Sequence, residues 1–283
     1  MIFSFSELIT SPFSHSYNYG YILFTIHNGY EDYLNIQEIL VAIYICGFNT
    51  VSFFFCVLFI YRYWTLIKSS YLKLFNGWNI LIWVGYAHIC GFLSILLLYL
   101  FCSPDTYTND YFRYILSVRY DKPPEEVAYF SIVVYQPCGD KLCIRWIGLV
   151  NIVSTTLVMQ ISATIITYCA YNMRKKMNEM LFQCSRSNQI LQRQFFKALM
   201  IQATSPIFTF FIPVSTLFGL LFTGWEYDFP AGIIFSSFGI YPAIDSLILL
   251  IVVQEYRESL KCMLGKKNTV KVVTTTFTRQ SIL

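Results

Sequence analysis

The sequence predicts an all-α membrane protein: a transmembrane helix bundle with five clear spans, its N-terminus outside and its C-terminus cytosolic. Three observations carry this. Only 13% of the 283 residues are charged and 56% are hydrophobic, whereas soluble domains carry about 25% charged residues. Five continuous apolar runs are each long enough to cross a bilayer, which takes about 20 residues. Lys and Arg are concentrated in alternate loops, the asymmetry that orients membrane proteins.

The spans are residues 39–60, 78–101, 146–171, 198–222 and 230–253, and Asp245 is the only charged residue inside any of them. Their runs are continuous rather than alternating, so they read as helices and not as strands of a closed barrel. The segments after the first, third and fifth spans hold 15 of the 20 Lys and Arg, while residues 1–38 hold none. Positive charge therefore marks one side as cytosolic. The domain reading is an extracellular N-terminal segment at 1–37, a transmembrane bundle at 38–265 and a disordered cytosolic tail at 266–283. Residues 1–26 are apolar and aromatic but interrupted by Glu7, Pro12 and His15. They read as half a span, a membrane-surface segment or an ordered extracellular loop; they lack the basic start of a signal peptide.

Span 198–222 contains Pro206 and Pro213, seven residues and thus about two turns apart, so both kinks face one side. Two prolines in one helix favour a hinge for its cytosolic half over tolerated kinks. Span 146–171 is rich in Ser and Thr and contains Asn151 and Thr155, one turn apart. Spacing alone favours close helix packing; the alternative is a cavity wall. The stretches "MRKKMNEMLF" and "ILQRQFFKAL" are basic and apolar by turns, as expected of an inner membrane face or of a surface for an intracellular partner. "ESLKCMLGKK" reads as a short amphipathic surface helix, with Cys262 a palmitoylation candidate.

Nine cysteines form no framework. Only Cys102, Cys138 and Cys143 lie in or beside an oxidising outer loop, so at most one disulfide forms among them. No nucleotide-binding, zinc-protease or hydrolase motif is present, and His15, His27 and His88 are far apart. The chain does not read as an enzyme. One intramembrane acid is also too few for a proton relay.

Five stretches, in order, carry a resemblance along most of the chain. They are Tyr61-Arg62-Tyr63, "YDKPPEEVAYFSIVVY", "YCAYNMRKKM", "LQRQFFKALMIQATSPIFTFFIPV" and "YPAIDSLILLIVVQEYR". The chain resembles the nematode seven-transmembrane G-protein-coupled chemoreceptors of the Str group, with the Srj group close by. Ser246 stands where that family usually has a second proline after Asp245. The resemblance makes the five spans helices three to seven of a rhodopsin-like seven-helix receptor, and "FSELITSPFSHSYN" similar to the outer end of the second helix and its loop. It implies that the first helix and most of the second are absent, with intracellular retention expected if Met1 is the true start.

The resemblance further implies the roles. Tyr61, Arg62 and Tyr63 would face a heterotrimeric G protein at the inner end of the third helix. Pro206, Pro213, Pro242 and Asp245 would form the switch network. A small, odorant-like molecule would bind among Tyr44, Phe48, Asn49, Asn151, Thr155, Phe211 and Phe235. No cofactor, metal or nucleic acid is implied; the lipid bilayer and a receptor oligomer complete the partners. The expected location is the plasma membrane of sensory-neuron cilia. The rival function is a truncated, non-signalling membrane protein, degenerate or associated with intact receptors. A charged Asp deep in a span costs about 2.5–3.5 kcal/mol, so Asp245 must face protein or water or be protonated.

Overall fold

The structure is a computed structural model that describes residues 2–26, 33–67, 69–181 and 186–263, with backbone alone at a few positions, 236–242 among them. The tail expected to be disordered, 266–283, lies outside the described residues. A short helix, α1 (Ile2–Thr10), packs on α2 (Leu34–Ile67), and Thr10 donates to the Leu40 carbonyl at 3.3 Å. Between them runs a hairpin, β1 (Pro12–Tyr17) and β2 (Gly20–Thr25). Residues 2–26 thus form a helix and then a hairpin.

The long helices overrun the expected spans. At 1.5 Å per residue, the 34 residues of α2 extend about 51 Å. Next come α3 (Ile80–Phe101) and α5 (Trp146–Leu181), which continues through the basic stretch that follows the apolar run. The helix with the two prolines is three pieces: α6 (Arg186–Pro206), a π turn (Ile207–Phe211) and α7 (Ile212–Leu220). Pro206 ends α6 and Pro213 sits in the first turn of α7. Each proline lacks an N–H and crowds the carbonyl four residues back, and the wider π turn accommodates both defects. Last are α8 (Gly232–Val252), which contains Pro242, and α9 (Gln254–Met263). Among the described residues four helices are long and apolar enough to cross a membrane: Leu34–Ile67, Gly77–Phe101, Trp146–Met177 and Phe196–Leu220. The described apolar part of α8 is shorter, Ala243–Val252, and the side chain of Pro242 is outside the described ones.

The helices pack by close backbone approach. A Cβ on Gly91 of α3 would sit 2.1 Å from Thr50 Oγ1 and 3.0 Å from the Cys46 carbonyl oxygen of α2. Only glycine lets the two backbones meet there. Gly91→Val is therefore expected to force α3 off α2 and to remove most of the monodisperse protein from size-exclusion profiles, whereas Gly85→Ala, with open space around it, leaves the yield unchanged.

One end of the bundle carries a cap. It contains α4 (Thr106–Arg119), β3 (Tyr129–Val133), the hairpin β4 (Tyr135–Cys138) and β5 (Lys141–Ile144), and, from the connection before α8, β6 (Asp228–Pro230). Asp105 caps α4: its carboxylate accepts from Thr108 N at 2.8 Å, and Thr108 Oγ1 accepts from Asp105 N at 2.8 Å. Arg145 is paired with the other carboxylate oxygen. The strands form an antiparallel sheet in the order β3-β2-β1-β6. Side chains alternate across it. Tyr21, Leu23, Phe130 and Ile132 join the core of the helix bundle, while Ile22, Phe24, Tyr129 and Val133 pack with Phe112 and Leu116 of α4. The cap is thus a sheet lying on the bundle with a helix on top. Gly20 permits the upper contact, since a Cβ there would be 2.7 Å from the Tyr111 ring. Cys138 and Cys143 form a disulfide across the β4–β5 turn, and Cys102 is buried with a free thiol.

Candidate functional site

Beneath the sheet lies a cavity of about 280 Å³. Its walls come from α2, α3, α5, α7 and α8, and its roof from β2 and β3. Tyr44, Phe48 and Asn49 contribute from α2, Asn151 and Thr155 from α5, and Phe235 from α8. Six of the seven residues picked for ligand contact therefore surround one space. The seventh, Phe211, is not in its lining. It lies 4% exposed in the π turn, against Phe210 (5.0 Å between ring centroids), and Phe210 is the ring that meets Phe48 at 4.8 Å. Phe210 is not in the lining either, and the π turn meets the cavity wall through its contact with Phe48. Asn151 and Thr155 stand in the cavity wall, not in the packing seam that spacing alone favoured.

The lining is apolar with scattered neutral polar groups, and among the described residues it holds no Asp, Glu, Lys, Arg or His. Asn49 donates to the Ile45 carbonyl of its own helix at 3.1 Å, and Ser154 to that of Val150 at 2.7 Å. Asn151 makes no hydrogen bond among the described residues. The roof residues Tyr21, Leu23, Phe130 and Ile132, and the α3 residues Cys90, Leu93, Ser94 and Leu97, also line the cavity and were not singled out in the sequence. For the roof, periodicity gave no usable signal: "YFSIV" and "GYILFT" are apolar on both faces and cannot be told from a helix turn.

The cap is fastened over the cavity by polar contacts among remote segments. His15 of β1 is 1% exposed. Its Nε2 lies 2.8 Å from Asp228 Oδ1 of β6, and its Nδ1 3.0 Å from the Tyr120 hydroxyl just after α4. The other Asp228 oxygen accepts from Arg119 at 2.5 Å. Burial lowers the His15 pKa below the ordinary value; hydrogen bonding and attraction to Asp228 oppose the shift, and Arg119 adds to it. The neutral ring then donates from Nε2 to the carboxylate and accepts at Nδ1 from Tyr120.

At the opposite end, Tyr61, Arg62 and Tyr63 do not close α2, which continues to Ile67. Successive residues point about 100° apart, and the three separate accordingly. Tyr61 packs on Phe75 (5.1 Å), and Tyr63 is buried beside Tyr168 of α5 (6.2 Å). Arg62 places its guanidinium carbon 5.7 Å from the centre of the Phe59 ring, and its Nη1 is buried with no hydrogen-bond partner among the described residues. The Asp245 carbonyl accepts from Gln202 Nε2 at 3.1 Å, joining α8 to α6 one turn before Pro206. Gln194 Oε1 accepts from the Gln254 amide at 3.0 Å, where α8 gives way to α9. Cys262 is exposed on α9.

The family model described as serpentine type 7TM GPCR chemoreceptor Str matches residues 1–261. The chain is 33% identical over 263 residues to the G-protein coupled receptor str-33 of Caenorhabditis elegans, a match covering 92% of this chain and 76% of that protein. It is 29% identical over 277 residues to the serpentine receptor class r-10 of the same organism, covering 95% and 80%. No solved structure matches it.

Proposed function

The chain belongs to the Str family of serpentine seven-transmembrane chemoreceptors, and from that premise we propose that it binds a small uncharged molecule in the roofed cavity and passes the event to a heterotrimeric G protein near Arg62. Membership makes it a multi-pass membrane protein of a receptor family, not an enzymatic one. In the proposed orientation the cap and N-terminus are outside, the five helices α2, α3, α5, α6–α7 and α8 cross the membrane, and the basic end is cytosolic.

The observation that carries the reading is the convergence of six residues, from three helices, on one cavity. The absence of any charged side chain among the described lining residues favours a neutral ligand, because a buried unpaired charge is costly. Phe48 touches both Phe210 and Phe235 (4.8 and 5.3 Å), so occupancy of the cavity bears on the π turn between Pro206 and Pro213. A shift there would swing α6 and its tie to Asp245, opening the inner end. The buried Arg62 Nη1 has no acceptor among the described residues, and a carbonyl or carboxylate of the G protein would supply one.

The test is G-protein activation in cells expressing the receptor and exposed to a panel of small neutral organic molecules. Arg62→Ala is expected to abolish the response at unchanged surface expression, while Arg62→Lys retains a small part of it, because lysine keeps the charge but not the planar fork. An undiminished Arg62→Ala response would remove Arg62 from the coupling site. Surface expression with no coupling by the unmodified chain would favour a non-signalling partner of other receptors.

A further inference from the structure

The cavity has a sealed roof and an exposed flank. Its roof residues are almost wholly buried: Tyr21 6%, Leu23 5%, Phe130 2% and Ile132 5% exposed. Above them lies a second layer, in which Phe112 and Leu116 of α4 are 0% exposed. A molecule arriving through the cap would have to part the sheet and the helix over it. Two residues of the wall behave differently. Leu93 of α3 and Val158 of α5 line the cavity and yet are 53% and 37% exposed. At 1.5 Å per residue, Leu93 lies about 12 Å below the cap end of α3 at Phe101, and Val158 about 18 Å below the start of α5 at Trp146. Both depths fall within a hydrocarbon layer about 30 Å thick.

We infer that the ligand enters sideways from the bilayer, passing between α3 and α5 by displacing the exposed wall residues Leu93 and Val158, and is therefore a lipid-partitioning, uncharged molecule. The inference rests on the receptor reading of the cavity and adds the route and the class of ligand. The membrane serves as a reservoir: each methylene raises partition into hydrocarbon about fourfold, so a ligand with a short carbon chain is concentrated beside these residues. The surrounding surface suits it, since Ile89 and Phe92 of α3 and Leu157 and Ile161 of α5 are exposed and apolar. Hydrogen-bonding groups such as Asn151 meet it only inside.

The experiment uses the full chain in lipid nanodiscs and the natural thiol of Cys90, which lines the cavity one turn from Leu93. The probe is N-cyclohexylmaleimide, uncharged and lipid-partitioning, with modification of Cys90 followed by peptide mass spectrometry. Leu93→Trp combined with Val158→Trp is expected to slow Cys90 modification about tenfold, equivalent to about 1.4 kcal/mol in barrier, while the rate at exposed Cys262 is unchanged. Leu93→Ala is expected to accelerate it, which keeps the test decisive if the tryptophan variant does not fold. Loosening the roof with Gly20→Val should leave the rate where it was. Acceleration by Gly20→Val with no effect of the flank substitutions would overturn the route and place entry through the cap. Because the readout is access and not signalling, a chain that never couples to a G protein would defeat the receptor reading while leaving this result intact.

Discussion

Asp228→Ala is expected to unfasten the cap at neutral pH, and acidification is expected to do the same to the unmodified protein. Removing the carboxylate leaves the Nε2–H of a histidine only 1% exposed without an acceptor, which costs about 1–3 kcal/mol. The accompanying loss of the half-exposed Arg119 pair adds at most about 1 kcal/mol. Asp228→Asn keeps an acceptor for His15 and should be milder. The pH effect has a definite sign. Desolvation holds the folded His15 below the ordinary value of 6.5, Asp228 pulling upward and Arg119 downward. Tyr120 faces the other ring nitrogen. Below about pH 6.5 the unfastened cap binds more protons than the fastened one. Cap stability is therefore full above that pH and falls as the pH drops through it toward the folded pKa. Amide hydrogen exchange of β1 and β6 between pH 7.5 and pH 5 measures it; protection that does not change with pH would mean that His15 binds its proton equally well whether or not the cap is closed.

Phe48→Ala is expected to reduce the ligand response at least tenfold while leaving enough folded receptor at the surface to measure. The ring is 7% exposed and touches the cavity, the π turn through Phe210 and α8 through Phe235. Truncation costs about 3–5 kcal/mol where a site cannot collapse, and less here because one side of the ring already borders a void. The functional loss should exceed what reduced stability explains, since the substitution cuts the contact between the cavity and the segment flanked by Pro206 and Pro213. Phe48→Leu, which restores much of the volume, should recover part of the response. Dose–response curves normalised to surface expression decide between the two contributions: a curve reduced only in proportion to surface receptor would mean that Phe48 packs but does not transmit.

Much of the molecule could be read from order and spacing along the chain. The long apolar runs could only be helices, because lipid offers backbone groups no partners outside the helix itself. The five motifs placed the chain in its family, and the resemblance, not spacing, pointed to the positions on α2, α5 and α8 that border one cavity. Less was legible where regularity broke. Pro206 and Pro213 announce a kink, but nothing in the local composition distinguishes a kink made by π widening from one made by simple bending. The helices α2 and α5 run beyond the apolar spans 39–60 and 146–171, because backbone hydrogen bonding continues where the apolar run stops.

What the sequence determined by itself was therefore whatever depends on local repetition: helices in lipid, the asymmetry of charge and family membership. What only the tertiary structure decided was whatever depends on partners distant in the chain. The sheet over the cavity pairs residues 20–24 with residues 129–133, and residues 15–17 with residues 228–230. The latch on it joins His15 to Tyr120 and Asp228. A strand apolar on both faces carries no mark of which segment will cover each of them. Its identity as a roof exists only once α4 lies above it and the helix bundle below.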